Sequence, residues 1–222
     1  MWVIDHRLAI AGLELGARTS ILRLSDGGLL LISPGRMDDA MRAQVTSLGP
    51  VRALAAPNRF HHLYLGQAAR AWPEAEVYMP QGLEAKLRAA GRVLPPHAVL
   101  GDAPPDALAG AVLTHRVQGI PRMEEVAFFH PSSRTLVLTD LCFNFQNVQG
   151  LWSKVALKLY GALGKFGPTR LERLLMKDKK AVRRSIDHLL SWDFDRVVVS
   201  HGDVLESGGH AALREAFAWL RP

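Results

Sequence analysis

The sequence predicts a layered α/β domain with its sheets packed in the middle, and three observations carry this. Two β-rich blocks each come with their own helices, and 222 residues supply enough apolar material for one large core. Residues of metal-ligand type also stand just past three strand ends: His61 and His62, Asp140, and His201. The expected organisation is a single domain over residues 1–222 with a basic helical insertion at about 151–190.

The elements follow in order. Residues 18–24 and 28–33 are short β-rich runs joined by Ser25-Asp26-Gly27-Gly28, a hairpin turn signal. Ser33-Pro34-Gly35 ends the second run. Asp38 or Asp39 then caps a helix with Met41, Val45 and Leu48 on one face, which stops at Gly49-Pro50. Residues 51–56 read as a buried strand running into Pro57-Asn58-Arg59-Phe60-His61-His62. A helix to Trp72, a short strand around Val77-Tyr78 and a helix over 81–90 come next. Residues 94–109 are too rich in Pro and Asp to be regular. Three strands follow at 111–117, 125–129 and 135–139, the last two joined by His130-Pro131-Ser132-Ser133-Arg134. After Asp140 a basic helical stretch is interrupted at Gly161, Gly164 and Gly167-Pro168. Residues 196–200 form a β-branched strand ending at His201-Gly202, and a helix over about 209–220 closes the chain.

Composition excludes several classes. Hydrophobic residues make up 48% and charged residues 22%, which is globular and neither disordered nor fibrous. No apolar run approaches the roughly 18 residues of a membrane span, so integral membrane association is not expected. The opening Met1-Trp2-Val3-Ile4-Asp5-His6 has no pattern of a secretory leader. The single cysteine, Cys142, excludes an internal disulfide framework and a Cys-rich zinc site. The expected location is the reducing cytoplasm.

Charge is local. The net +6 hides a stretch, residues 151–184, in which ten basic residues face only Glu172 and Asp178; it carries +8 and the remainder −2. Such a distribution is a poor signature of a nucleic-acid-binding fold. Trp152, Val155, Leu159 and Leu163 fall near helical spacing in it, with Lys154, Lys158 and Lys165 between them. Three readings stand: a solvated helical covering, a lid whose cations attract an anionic substrate, or a peripheral surface for acidic lipid or nucleic acid.

Each candidate site residue has a plain structural reading beside the functional one. Adjacent histidines in a loop are often incidental, Asp140 also fits an Asx-turn or a helix cap, and His201-Gly202 also fits a strand end. Glu124 and Glu125 precede a strand and read as solvated charge ahead of a second reading in which one reaches the site; His130 reads as a turn or surface residue, and Arg134 as the partner of a carboxylate. Cys142 reads as a buried small residue, with nothing nearby to activate a thiolate. Asn144, Asn147 and Gln149 are candidates for lining a cavity.

The order of elements resembles the metallo-β-lactamase-fold superfamily, an αββα sandwich. The nearest likeness is a poorly characterised branch described as a domain of unknown function. The resemblance spans essentially the whole chain. It rests on Ser33-Pro34, the stretch from Pro57 through His61-His62-Leu63-Tyr64-Leu65-Gly66, the stretch from Ser133 to Asp140, and Val198-Val199-Ser200-His201-Gly202. Against the superfamily pattern His-x-His-x-Asp-His, Pro57 and Arg59 stand at the first two histidines, His61 at the Asp and His62 at the last His. No histidine stands near Gln118-Gly119, where another is expected, while Asp140 matches the bridging carboxylate and His201 the final ligand.

The resemblance therefore implies one divalent metal held by His62, Asp140 and His201, with His61 as fourth ligand or standing behind. Zinc comes first, and iron or manganese also fit this donor set. It implies hydrolysis of an ester, amide, thioester or phosphoester by metal-bound hydroxide, with Asp140 or His61 orienting the water. Asn58, Arg59 and Asn144 are the substrate-binding candidates, for a small and possibly anionic molecule. A peripheral anionic surface through residues 151–184 and a homo-oligomer remain open. The alternative is a non-catalytic descendant of the fold that acts as a binding or interaction scaffold, with Arg59 replacing a lost metal by its charge.

Overall fold

The run Leu29-Leu30-Leu31-Ile32 has no polar side because both of its faces are buried. Leu29 and Leu31 pack outward against helices, while Leu30 and Ile32 point between two sheets. The same period-two division recurs through the chain, described here for residues 1–220 in a computed structural model.

The first half comprises β1 (Trp2–His6), a small hairpin of β2 (Ala9–Ile10) and β3 (Leu13–Glu14), β4 (Ala17–Arg23), β5 (Leu29–Ile32), α1 (Asp39–Leu48), β6 (Val51–Ala55), α2 (Leu65–Ala71), β7 (Glu76–Met79), α3 (Gln81–Ala89) and β8 (Ala98–Val99). Its main sheet runs β1-β4-β5-β6-β7-β8, antiparallel as far as β5 and parallel from β5 to β8. The second half comprises β9 (Leu113–Arg116), β10 (Val126–His130), β11 (Thr135–Val137), β12 (Phe143–Asn144), α4 (Leu151–Tyr160), β13 (Phe166–Gly167), α5 (Arg170–Leu175), α6 (Lys179–Leu189), β14 (Arg196–Val198) and α7 (Gly209–Ala216). Its main sheet runs β14-β11-β10-β9, with β11 and β14 parallel.

Four layers result. Between the sheets, Leu22, Leu30, Ile32, Ala53 and Tyr78 meet Val126, Phe128, Val137 and Val198. Outside the first sheet, Leu29, Leu31, Leu54 and Val77 pack with Val45, Leu65 and Leu83 of α1, α2 and α3. Outside the second, Ala127, Phe129, Leu136 and Val197 pack with Val182, Ile186 and Leu189 of α6 and with Leu213 of α7. The spacing of those α6 residues makes one apolar stripe at helical period. Asp38 accepts from the Met41 amide at 2.8 Å and caps α1, as its position before the first apolar residue predicts.

Four differences from the sequence expectation have physical causes. β1 was not anticipated, yet its alternating half-buried and exposed residues are an edge-strand pattern. The Pro-rich stretch holds the two-residue β8 and a short 3₁₀ turn, Asp106–Leu108. His130 is buried rather than at the surface: its ring reaches Ser133 Oγ at 2.7 Å and the Arg23 carbonyl at 3.1 Å, tying the turn to the opposite sheet. The basic stretch divides: α6 is an integral outer-layer helix, the end of α5 packs on the same core through Leu175, and α4 joins Phe143 and Phe145 in a separate small core.

Parallel strands place the site. β5 and β6 in one sheet, and β11 and β14 in the other, direct their carboxyl ends to one region, where loops rather than ladders carry the chain.

Candidate metal centre

Three side chains converge there. His61 follows β6, Asp140 follows β11, and His201 follows β14. His61 Nε2 lies 3.2 Å from Asp140 Oδ2 and 3.2 Å from His201 Nε2, and His201 Nε2 lies 3.4 Å from Asp140 Oδ1. Among the described residues this is the one cluster of three such groups whose ligand atoms could share an ion. All three side chains are largely buried.

Each is held by a dedicated partner. His201 Nδ1 lies 2.7 Å from the Gly16 carbonyl, an acceptor only, so Nδ1 carries a proton and donates, and in the neutral ring this tautomer puts the lone pair on Nε2. Its ring stacks on Phe143 at 5.5 Å. His61 Nδ1 pairs with Ser33 Oγ at 2.7 Å. The tight turn around His61 is built by Asn58, whose Oδ1 accepts from the Phe60 and His61 amides at 2.8 and 2.9 Å. The Asn58 Nδ2 donates to Asp140 Oδ2 at 2.7 Å, to Thr139 Oγ1 at 2.9 Å and to Glu125 Oε2 at 3.3 Å. Glu125 is fully buried and accepts the backbone amides of Thr139, Asp140 and Leu141 at 2.9, 2.7 and 3.0 Å. It is the hub of the Asp140 loop.

The electrostatics follow from burial and proximity. Burial works against charge on His61, but Asp140 and Glu125 outweigh it and hold its pKa above the ordinary value. Burial disfavours the Asp140 anion too, yet the two imidazoles prevail and hold its carboxyl well below the usual range. Burial, and then the Asp140 charge, push Glu125 upward against the pull of its amide donors.

The candidates separate as follows. His61, Asp140 and His201 come together, and His62 does not. His62 turns outward, its Nε2 at 3.2 Å from Lys86 Nζ, and burial with the Lys86 and Arg92 charges lowers its pKa. The adjacent histidines thus exchange the roles expected of them, because the Asn58 turn aims His61 inward. Arg59 does not fill a vacated position in the cleft: its Nη1 donates to the Pro121 carbonyl at 3.1 Å. Asn58 is buried with its amide fully engaged, so it positions the Asp140 and His61 loops and offers nothing to a substrate. Asn144 is likewise buried, its Nδ2 donating to the Asp203 carbonyl at 2.9 Å. Glu125, for which solvation was the preferred reading over reach to the site, is buried and holds the Asp140 loop. Its only signal was a carboxylate directly before an unbroken apolar strand. Cys142 is buried as expected, and burial followed by the Glu125 and Glu172 charges raises its thiol pKa.

Behind His201, Gly202 has φ +92°, and a Cβ there would overlap the Asn144 carbonyl. Gly202→Ala is expected to cost about 2 kcal/mol or more. At this chain length that lowers the melting temperature by roughly 4–8 °C, readable by calorimetry.

The cluster opens on a cleft of about 1350 Å³, larger than the roughly 300–1,000 Å³ of ordinary small-molecule pockets. Leu8, Leu13 and Leu15 of the hairpin region, Phe143 and Phe145, and α4 and α5 form its walls.

The fold has solved counterparts. The chain is similar to a metallo-β-lactamase from Pontibacter korlensis at 15% identity, with a TM-score of 0.66 over 99% of this chain and 94% of that one. A metallo-β-lactamase from Erythrobacter litoralis, solved with β-mercaptoethanol in its active site, gives 12%, 0.67, 98% and 92%. The metal-soaked flavodiiron core from Synechocystis gives 13%, 0.65 and 98%, and this chain spans 58% of it. The fold is that of the metallo-β-lactamases. No curated protein sequence matches the chain. The chain belongs to the family described as Domain of unknown function (DUF4336), whose model matches residues 1–155.

Proposed function

We propose that the protein is a mononuclear metal-dependent hydrolase whose ligands are His61, Asp140 and His201. One observation carries this reading. Tetrahedral coordination at the ordinary Zn–N length of about 2.0–2.1 Å spaces donor atoms by about 3.3–3.4 Å. Here His61 Nε2 and His201 Nε2 stand 3.2 Å apart, and one ligand atom from each of His61, Asp140 and His201 lies within 4.8 Å of the other two. The Gly16 carbonyl fixes the His201 tautomer that ligation requires. Zinc suits two imidazoles and a carboxylate, and iron or manganese accept the same donors.

When bound, such an ion supplies a Lewis acid that polarises an ester, amide, thioester or phosphoester and acidifies water. Three protein ligands leave a position for substrate or water. The protein's own contribution is orientation. Asn58 engages Asp140 Oδ2 and so fixes the rotation of the carboxylate against the two imidazoles. Glu125 keeps the Asp140 loop from drifting. In the overall reaction, water gives its oxygen to the acyl or phosphoryl centre, and the leaving group takes the proton.

A second reading, a non-catalytic binding scaffold, is favoured by Pro57 and Arg59 standing where the superfamily carries histidines. The test is metal content by plasma mass spectrometry on untagged protein prepared without chelator, beside a His61→Ala/His201→Ala variant. About one equivalent in the wild type and none in the variant is the expected result. No uptake, even after incubation with zinc, iron or manganese, overturns the hydrolase reading and leaves the scaffold.

A further inference from the structure

Seven of the fourteen large hydrophobic side chains exposed among the described residues line the one cleft that ends at the cluster. Ile10, Leu63, Trp152, Leu159 and Leu171 are among them, from 48% to 67% exposed. An exposed apolar concentration of this kind marks a binding surface. It is not a loose flap, because Phe143, Phe145 and Leu157 pack with Leu13 and Leu15 into a small core beneath it. Among the charged groups on the lining, Asp5 pairs with Arg18 at 2.7 Å, Glu172 caps α5 through Thr169, and Asp140 belongs to the cluster. The exposed Arg7 and Arg36 on the lining have no carboxylate partner among the described residues.

We infer that this cleft takes the long apolar chain of an anionic amphiphile, the chain lying along α4 and α5 and the anionic end meeting Arg7 and Arg36. The chemistry matches on both counts: an apolar wall as large as this one rewards length, and the free guanidiniums reward negative charge. As the substrate of the reaction above, the amphiphile rests on the hydrolase reading; as a ligand it does not. The volume exceeds that of an ordinary polar-metabolite pocket, and the apolar wall extends to the cluster itself.

The probe is a series of saturated fatty acids from octanoate to palmitate, titrated by calorimetry below their micelle concentrations into the full chain without added metal. Affinity is expected to rise about threefold to fourfold per added methylene until the cleft is filled. Trp152→Glu/Leu159→Glu, at two exposed positions that leave the core intact, is expected to weaken palmitate at least tenfold. Vesicles of phosphatidylglycerol form the second arm, and binding to them without binding to monomeric palmitate overturns the inference. So does affinity independent of chain length. A dimer in sedimentation that Trp152→Glu/Leu159→Glu dissociates, with no palmitate bound, makes the face a self-association surface and also overturns it. Palmitate binding without metal uptake leaves this site standing while the hydrolase reading falls; metal uptake without palmitate binding does the reverse.

Discussion

Replacing Glu125 by alanine is expected to destabilise the fold by about 3–5 kcal/mol, a large part of the roughly 5–15 kcal/mol that holds a domain together. The carboxylate is fully buried and accepts three consecutive backbone amides, those of Thr139, Asp140 and Leu141. Truncation leaves all three without an acceptor and removes one partner of Asn58, in a place water does not reach. Glu125→Gln keeps one carbonyl acceptor but turns its amide donor toward amide donors, so an intermediate loss is expected. Urea unfolding of the three proteins measures this, and equal midpoints would show that the loop does not depend on this carboxylate.

His61→Ala is expected to weaken metal binding by more than about 100-fold, beyond the loss typical of a supporting residue, while His62→Ala changes it less than about threefold. The two residues are neighbours in the chain, yet only His61 Nε2 meets Asp140 and His201. The His62 ring faces Lys86 instead. Competition against a fluorescent chelator separates them. Equal losses would place both imidazoles on the ion and require the loop to rearrange on binding.

Much of this was legible in the chain. The apolar β5 and β6 runs, the Asp38 cap, and Asp140 and His201 at strand ends all follow from local chemistry, and each lies where the pattern puts it. Sequence placed a histidine of the pair at the site but not the right one first. The choice depends on a turn set by Asn58, and Asn58 is itself fixed by Glu125 and Asp140 from far along the chain. Glu125 was misread for a related reason. A buried carboxylate is exceptional by composition, and only the folded Asp140 loop, which brings it three amides, makes burial affordable. The cleft escaped notice because its walls come from the hairpin, β12 and α4, which no local periodicity links.

The atoms that surround the cluster come from opposite ends of the polypeptide: Gly16, Ser33 and His61 from the first sheet's loops, and Asp140 and His201 from the second's. An ion seated among them is a rivet between two halves of the sandwich. Free ion at a thousandfold over its dissociation constant would add about 4 kcal/mol to the folded state. The lifetime of the chain against proteolysis would then track the ion supply around it, so that scarcity would thin the population of the protein before it slowed any reaction.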